Sequence, residues 1–447
     1  MKAEGNSHPV NPGPVPAQSS FQDRRFCLWL LIASLAVNVA VVLLTRQHET
    51  FDSIDGDERE YWDIATAFQH FGLAGIPARR TPPFPILIAT LRSAVGNDYL
   101  HVQLALSIIL AFSPILLYCL VQRRVGDARV AKLASIGFLL WPPFVSYCAT
   151  LYSDSIGLMI FLGYLLAYPL TAARGVTNFR RRCMQFCIAG GLLSVCVQMK
   201  PLYLIYAPFA LCLAFSDETS NRQRLYAACF LIAGYMMVAL PWATYISVRE
   251  SRLIPVSAND GETLAGGLNP ALLSMDKNSV FVTHDGRTTW QGPGKWLPME
   301  RTGYLSAQEL QLPYAKRRTL LIERTDAWIK SHPAATAYLT ARKLSYMWGI
   351  YPFWNGAAQS FLGNFPLLLL TCTAFLSLWI NRQALAELAL FWTLPLFSSA
   401  VCLVSWGSWR FRMPADVGLI VLSAILAANW KAVQPLWRRL ERTPILD

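Results

Sequence analysis

What most limits the fold of this chain is a series of apolar runs long enough to cross a bilayer. The first, residues 26–45 (FCLWLLIASLAVNVAVVLLT), carries no charge, and a helix needs about 20 such residues to pass through the hydrocarbon core. Comparable runs recur at 100–122, 133–151, 155–173, 184–199, 201–215, 225–243, 359–380, 386–405 and 416–430. Backbone polar groups in lipid must be satisfied within their own segment, so runs of this length fold as helices. The expected fold class is an all-α polytopic membrane protein with about ten transmembrane helices. Composition agrees: 54% of the residues are hydrophobic and 15% charged, against about 25% charged in an ordinary soluble chain. The net charge of +12 then reads as loops facing the cytoplasm and anionic membrane lipids, with no nucleic acid as partner.

Loop charges set the orientation. Arg24 and Arg25 precede the first run, no small-residue cleavage site follows it, and further runs come later. It is therefore read as an uncleaved first helix with a cytoplasmic amino terminus. Arg123, Arg124, Arg129 and Lys132 fall on that same side, as do Arg174, Arg180, Arg181, Arg182, Arg222, Arg224, Arg382, Lys431, Arg438, Arg439 and Arg442. The chain divides accordingly. A disordered cytoplasmic tail (1–25) leads into a transmembrane module (26–243) with an acidic outer loop (46–99). A large extracytoplasmic loop (244–357), C-terminal helices (358–430) and a cytoplasmic tail (431–447) follow. The expected location is the cytoplasmic (inner) membrane with both termini inside. The ten cysteines, from Cys27 to Cys402, lie in or beside apolar runs. With no paired metal spacing, and no HExxH pattern among the histidines, they read as small core residues.

One stretch departs from this apolar background. Residues 51–85 read FDSIDGDEREYWDIATAFQHFGLAGIPARRTPPFP, with carboxylates at Asp52, Asp55, Asp57, Glu58, Glu60 and Asp63. An acidic patch beside a membrane is costly unless it faces water and has a task, which marks it as the candidate reactive centre. The plainer reading is a solvated helix start, favoured by the helix dipole. Tyr61, Ile64, Ala65, Phe68 and Phe71 follow at helical spacing, as in an amphipathic helix lying on the membrane surface. Pro82, Pro83 and Pro85 end it, and 86–95 is too short to cross. Asp154, between two apolar runs on the same outer face, is either a helix N-cap or a functional carboxylate. Lys200, Arg410 and Arg412 are cations at outer helix ends. They either snorkel toward headgroups or neutralise a lipid-linked phosphate, Arg by bidentate contacts and Lys as a point charge.

Several of these segments together resemble a known family. GDEREYWDIATAF followed by RRTPPFP is similar to the first outer loop of the GT-C superfamily of integral-membrane glycosyltransferases. The likeness is to its bacterial family 39 branch, which covers protein O-mannosyltransferases, aminoarabinose transferases and lipid A galacturonosyltransferases. WPPFVSY with SDSIG resembles the family's third and fourth spans and its second acidic position, and QMKPLYL a segment usually written with Arg-Pro. LPWATYISVRESRLIPVSANDGETLAGGLNP resembles the start of its large outer loop, and RFRMPAD its late Arg-Tyr-x-x-Pro motif. The likeness runs from about residue 26 to 430. Lys200 stands where Arg is commoner, and the residue after PWATY is not the usual Asn.

The resemblance implies a GT-C-type bundle that transfers a monosaccharide from a polyprenyl-phosphate carrier to a hydroxyl on a lipid, glycan or protein at the extracytoplasmic face, usually with inversion. Asp57 and Tyr61 match the family's Asp-x-x-x-Tyr spacing. Inversion needs one carboxylate to take the acceptor's proton, and charge relief on the departing phosphate. Asp57 fits the base, with Glu58 and Asp154 orienting hydroxyls. Lys200, Arg410, Arg412, Arg80 and Tyr61 form the donor side. The loop 244–357 lacks a GxxxxGK[ST] phosphate cradle, which favours a lipid-linked donor over a nucleotide sugar. Its Trp290, Trp296, Tyr304 and Tyr314 suit either stacking on sugars or anchoring at the interface. No metal-ligating set is assigned, although clustered carboxylates are the oxygen ligands that Mg²⁺ or Mn²⁺ takes. Two other classes share the many spans: a transporter or flippase of lipid-linked saccharide, and a surface-polysaccharide polymerase or ligase. The first commonly shows inverted repeats, which are not visible here. The second relies on outer-loop arginines more than on an acidic first loop.

Overall fold

A computed structural model describes residues 19–46, 56–169, 179–217, 220–274, 280–282, 288–290, 303–349 and 357–429. Of the expected tails 1–25 and 431–447, residues 1–18 and 431–447 lie outside the described residues, as do Asp52 and Asp55, whereas 19–25 are helical. The first half is built of α1 (Ser19–Arg46), α2 (Gly56–Phe71), α3 (Pro83–Val95), α4 (Tyr99–Leu110), α5 (Ser113–Val125), α6 (Ala128–Leu140), α7 (Pro142–Tyr147) and α8 (Ser153–Ala167). Next come α9 (Phe179–Met199), a 3₁₀ turn (Pro201–Tyr206), α10 (Ala207–Asp217) and α11 (Asn221–Arg249). The large loop folds as α12 (Asp260–Gly267), α13 (Ala271–Ser274), the short antiparallel pair β1 (Val280–Val282) and β2 (Thr288–Trp290), α14 (Ala307–Leu310), α15 (Tyr314–Ser331) and α16 (Pro333–Met347). The chain closes with α17 (Ala357–Ile380), α18 (Ala389–Val404), a 3₁₀ turn (Trp409–Arg412) and α19 (Met413–Ala428).

Against about ten expected crossings, the described residues hold five helical stretches of spanning length and composition: Asp23–Arg46, Tyr99–Val125, Arg180–Met199, Asn221–Arg249 and Trp409–Ala428. Shorter apolar helices add Pro83–Val95, Ser153–Ala167, Pro201–Phe215, Phe365–Ile380 and Ala389–Val404. The expected run 133–151 is not one helix. Pro142 and Pro143 cannot continue the ladder of α6, so the chain turns at Trp141 and restarts as α7. In contrast, Pro241 sits inside α11, which runs six residues past the expected end at 243.

Large apolar side chains such as Trp29, Leu44, Met237, Phe375 and Trp379 are exposed on these helices, the arrangement of a lipid-facing surface. The core runs through α19, whose side chains are almost all buried, and draws in α5, α6, α8, α9 and α18. Close backbone approach fixes the α9–α11 pair. A Cβ on Gly190 would lie 1.9 Å from the Leu231 carbonyl oxygen, and one on Gly234 would lie 1.9 Å from that of Cys187. Only glycine fits there, as at small-residue interfaces between membrane helices.

The placement of α2 decides the site. Its apolar stripe meets protein: Tyr61, Trp62 and Ala65 pack on Phe84, Ile88, Tyr99 and Leu106, while Ile64 joins Ile76, Trp242 and Ile246. Phe71 alone of the expected stripe is left fully exposed. The start of α2 is thereby held against the ends of other helices, with Asp57, Glu58 and Glu60 turned inward.

Candidate active site

A cavity of about 1210 Å³ opens beside the start of α2, larger than the 300–1,000 Å³ of a typical small-molecule site. Its walls come from four distant parts of the sequence. These are the first turns of α2 (Asp57, Glu60, Tyr61), the 79–81 segment (Arg79, Arg80), the turn at Lys200 to Ile205, and the 406–411 segment (Trp406, Arg410). The loop helix α12 adds Asp260 and Glu262 to the lining. A Cβ on Gly267 would sit 2.6 Å from the Ser405 carbonyl oxygen, so α12 is seated directly on the segment that leads to Arg410.

Asp57 is the point where these walls meet. Its Oδ1 accepts from Arg80 Nη2 at 2.6 Å and its Oδ2 from Arg410 Nη1 at 2.8 Å. Burial alone would raise its pKa, but Arg80 and Arg410, with Lys200 behind them, outweigh it and hold the carboxyl well below the usual carboxylate range. Arg80 is itself fixed: Nε and Nη2 pair with Glu60 at 3.0 and 2.5 Å, and Nη1 donates to the Tyr61 hydroxyl at 3.3 Å. Burial pushes the Tyr61 phenol up, with Arg80 opposing, so the hydroxyl stays protonated and shares a hydrogen bond with Ser153 Oγ at 3.1 Å. Arg410 lies among the rings of Tyr152, Trp406 and Phe411, 5.4, 5.8 and 5.2 Å from their centroids, which suits a planar guanidinium.

Asp154 and Lys200 come together just behind. Asp154 lies in the first turn of α8, where Tyr152 is the cap and no side chain caps the helix. The capping alternative is therefore not what the structure shows. Asp154 Oδ2 accepts from Lys200 Nζ at 2.9 Å, and a small recess lined by both residues and Arg410 adjoins the main cavity.

Two of the expected site residues face elsewhere. Glu58 is one position, about 100° of helix, from Asp57. It is buried away from the cavity, accepting from Arg46 Nη2 at 3.3 Å and from the Leu151 backbone N–H at 2.8 Å. It ties the end of α1 and the approach to α8 onto α2. Arg412 follows Arg410 by two positions in a 3₁₀ turn, where each residue rotates by about 120°. It points inward, pairing with Asp416 at 2.8 Å and donating to the Met347 carbonyl at 2.7 Å. Of the loop aromatics, Tyr314 lies under the guanidinia of Arg79 and Arg317, at 5.0 and 4.1 Å. Trp296 is outside the described residues.

Sequence reasoning passed over several neighbours. Glu60 belongs to the quoted acidic patch, and its signal was its spacing: i and i+3 from Asp57 share a helix face. Arg79, which pairs with Glu60 at 2.6 Å, was legible as half of an Arg-Arg pair. Glu262 with Arg317 at 2.8 Å, and Asp260 with Arg318 at 2.5 Å, carried no sequence signal, because each joins α12 to a distant α15.

The carboxylates do not fit a divalent ion as they stand. Asp57, Glu60 and Asp154 each close on a cation of the chain, and among the described residues no three His, Cys, Asp or Glu side chains converge.

No protein-family model and no curated protein matches the chain. Among solved structures, the archaeal oligosaccharyltransferase AglB from Archaeoglobus fulgidus, in complex with an inhibitory peptide and a dolichol-phosphate, is similar over 97% of this chain, with a TM-score of 0.54 and 15% identity. The chain spans about half of that protein's length, 53%. ArnT from Cupriavidus metallidurans in the apo state is similar over 94% of this chain and 80% of its own, with a TM-score of 0.42 and 12% identity. The feature shared with AglB is the fold, the GT-C-type helical bundle that the sequence motifs led us to expect.

Proposed function

We propose that this protein is a membrane glycosyltransferase that moves a monosaccharide from a polyprenyl-phosphate carrier to a hydroxyl on a lipid, glycan or protein, at the extracytoplasmic face. One observation carries the reading: the Asp57 carboxylate and the cations Arg80, Arg410 and Lys200 meet in one cavity at the ends of apolar helices. Transfer with inversion requires both kinds of group. The acceptor oxygen attacks the anomeric carbon, the bond from that carbon to the phosphate oxygen breaks, and the acceptor's proton passes to Asp57. The polyprenyl phosphate leaves with the bonding electrons, its charge met by guanidinium and ammonium groups fixed in advance.

The rest of the cavity suits such a donor. Leu202, Leu204, Ile205 and Val404 extend its wall from Lys200 with apolar surface on which an isoprenoid chain can lie. The fold is shared with AglB, which was solved with a dolichol-phosphate. In this scheme Asp154 holds Lys200, Tyr61 donates to bound oxygen, and Glu58 is a structural tie.

The test is sugar transfer in membranes carrying Asp57→Asn. Loss of transfer by an otherwise folded protein supports the proposal; near-normal turnover overturns it. Cysteine labelling near residue 57 tests the side, and a cytosolic position contradicts the proposed face.

A further inference from the structure

Asp57 is gripped at both oxygens. Arg80 takes Oδ1 and Arg410 takes Oδ2, at 2.6 and 2.8 Å. Two guanidinia facing one planar anion is also the arrangement that binds phosphate. Each cation has other anchors: Arg80 has Glu60 and the Tyr61 ring at 4.8 Å, and Arg410 has the rings of Tyr152, Trp406 and Phe411. The clamp therefore keeps its shape without Asp57. Asp57 has somewhere to go, since its side chain is 24% exposed toward a cavity lined by all three residues and by Lys200.

We propose that Asp57 occupies, in the resting protein, the very site that the phosphate of the lipid donor takes, so that donor binding displaces Asp57 from the Arg80–Arg410 clamp and frees it to accept the proton. This rests on the proposed function. The ligand is a phosphate ester of a long-chain isoprenoid, and the exchange makes the base available only when its reaction partner is in place. Before exchange, the carboxylate's lone pairs are engaged by two cations and it is a poor base. After exchange, the phosphate holds the cations and the carboxylate is released into a buried setting.

The consequence is a competition with an unusual sign. A ligand whose site is filled by an internal group binds more weakly in proportion to the fraction of molecules in which the site is open. Removing the carboxylate should therefore strengthen phosphate binding while abolishing transfer.

The experiment measures binding of undecaprenyl phosphate to the purified full chain in detergent, by native mass spectrometry, with inorganic phosphate titrated in parallel. Four proteins are compared: wild type, Asp57→Asn, Asp57→Glu and Arg410→Ala. With an open state populated at about a tenth or less, Asp57→Asn should bind about tenfold tighter or more. Asp57→Glu should stay near wild type, and Arg410→Ala should bind more weakly. The same order with inorganic phosphate supports the phosphate as the competing group, whereas no gain with inorganic phosphate overturns it. If Arg410→Ala weakens binding but Asp57→Asn does not strengthen it, the exchange is wrong and the donor reading stands. Equal binding by all four removes both. A second measurement needs only wild type: carbodiimide labelling of Asp57, mapped by mass spectrometry, should rise when undecaprenyl phosphate is present. Unchanged labelling with bound lipid overturns the exchange.

Discussion

Arg410 stands 353 positions beyond Asp57 in the chain, and its Nη1 donates to Asp57 Oδ2 across 2.8 Å. That bond joins the start of α2 to the last helical hairpin, so the candidate site exists only when the whole bundle has closed. It also makes Arg410 the residue whose removal should be felt most directly. Arg410→Ala is expected to lower kcat/KM for sugar transfer by about 10²–10³-fold, the usual cost of removing one donor to developing negative charge. Arg410→Lys should recover part of this, because a point charge replaces the planar fork. A transfer assay in membranes, with protein level and melting checked, decides it. An unaffected Arg410→Ala enzyme would remove Arg410 from the donor side.

Asp154 and Lys200 make a separable prediction. Their side chains are 6% and 12% exposed and pair at 2.9 Å. Asp154→Asn strands the Lys200 cation, and breaking a buried pair costs about 3–5 kcal/mol. Lys200→Met in the same protein removes the stranded charge. The double variant should therefore melt closer to wild type than Asp154→Asn alone, yet still transfer poorly because the cation is gone. If the double variant regains transfer with stability, Lys200 is only structural.

The same residues show what was legible in the sequence. Asp57, Asp154, Lys200 and Arg410 were marked by charge placed against an apolar background, where an ionised group is costly without a reason, whereas Arg80 was marked only by the family resemblance. What periodicity could not give was direction. Glu58 and Arg412 each lie one or two positions from a cavity residue, and helix rotation turns them away into Arg46 and Asp416. The helices were largely legible as well, but not their breaks: 133–151 divides at Trp141, while Pro241 leaves α11 continuous. A proline's effect depends on what its neighbours can do for the freed carbonyl. Pairs such as Glu262 with Arg317 depend on where α12 and α15 pack, which local sequence does not encode.

Asp416 carries the next prediction. It is fully buried, and its two oxygens accept from Arg412 Nε and Trp141 Nε1, both at 2.8 Å. Arg412 in turn reaches the Met347 carbonyl. This network pins the turn Trp409–Arg412, and so the position from which Arg410 meets Asp57. Asp416→Asn should lower transfer about tenfold through Arg410. Neighbours that act through one another are non-additive, so Asp416→Asn should add little to Arg410→Ala. A full additional loss in the double variant would mean that Asp416 does not act through Arg410.

Acidity offers a test that separates the resting protein from its donor complex. In the resting protein Arg80 and Arg410 keep Asp57 ionised well below the usual carboxylate range. A carboxylate with a depressed folded pKa contributes its stability fully above the unfolded value, about 3.9. That contribution is lost only as pH falls through the lower folded value. The difference in melting between wild type and Asp57→Asn should then be constant from about pH 5 to 8. kcat/KM reports free enzyme and kcat the bound complex, so kcat/KM should show no acid limb from Asp57 over that range. Once phosphate has taken both arginines, their lowering pull on Asp57 is largely neutralised; Lys200 still opposes, but burial gains weight and raises the carboxyl pKa. The kcat profile should therefore fall on the acid side at a higher pH than kcat/KM does. The donor's phosphodiester does not titrate there, so the limb can be assigned by its absence in Asp57→Asn residual activity. If kcat and kcat/KM share one acid limb, Asp57 meets the same cations before and after the donor binds, and the exchange at the clamp does not occur.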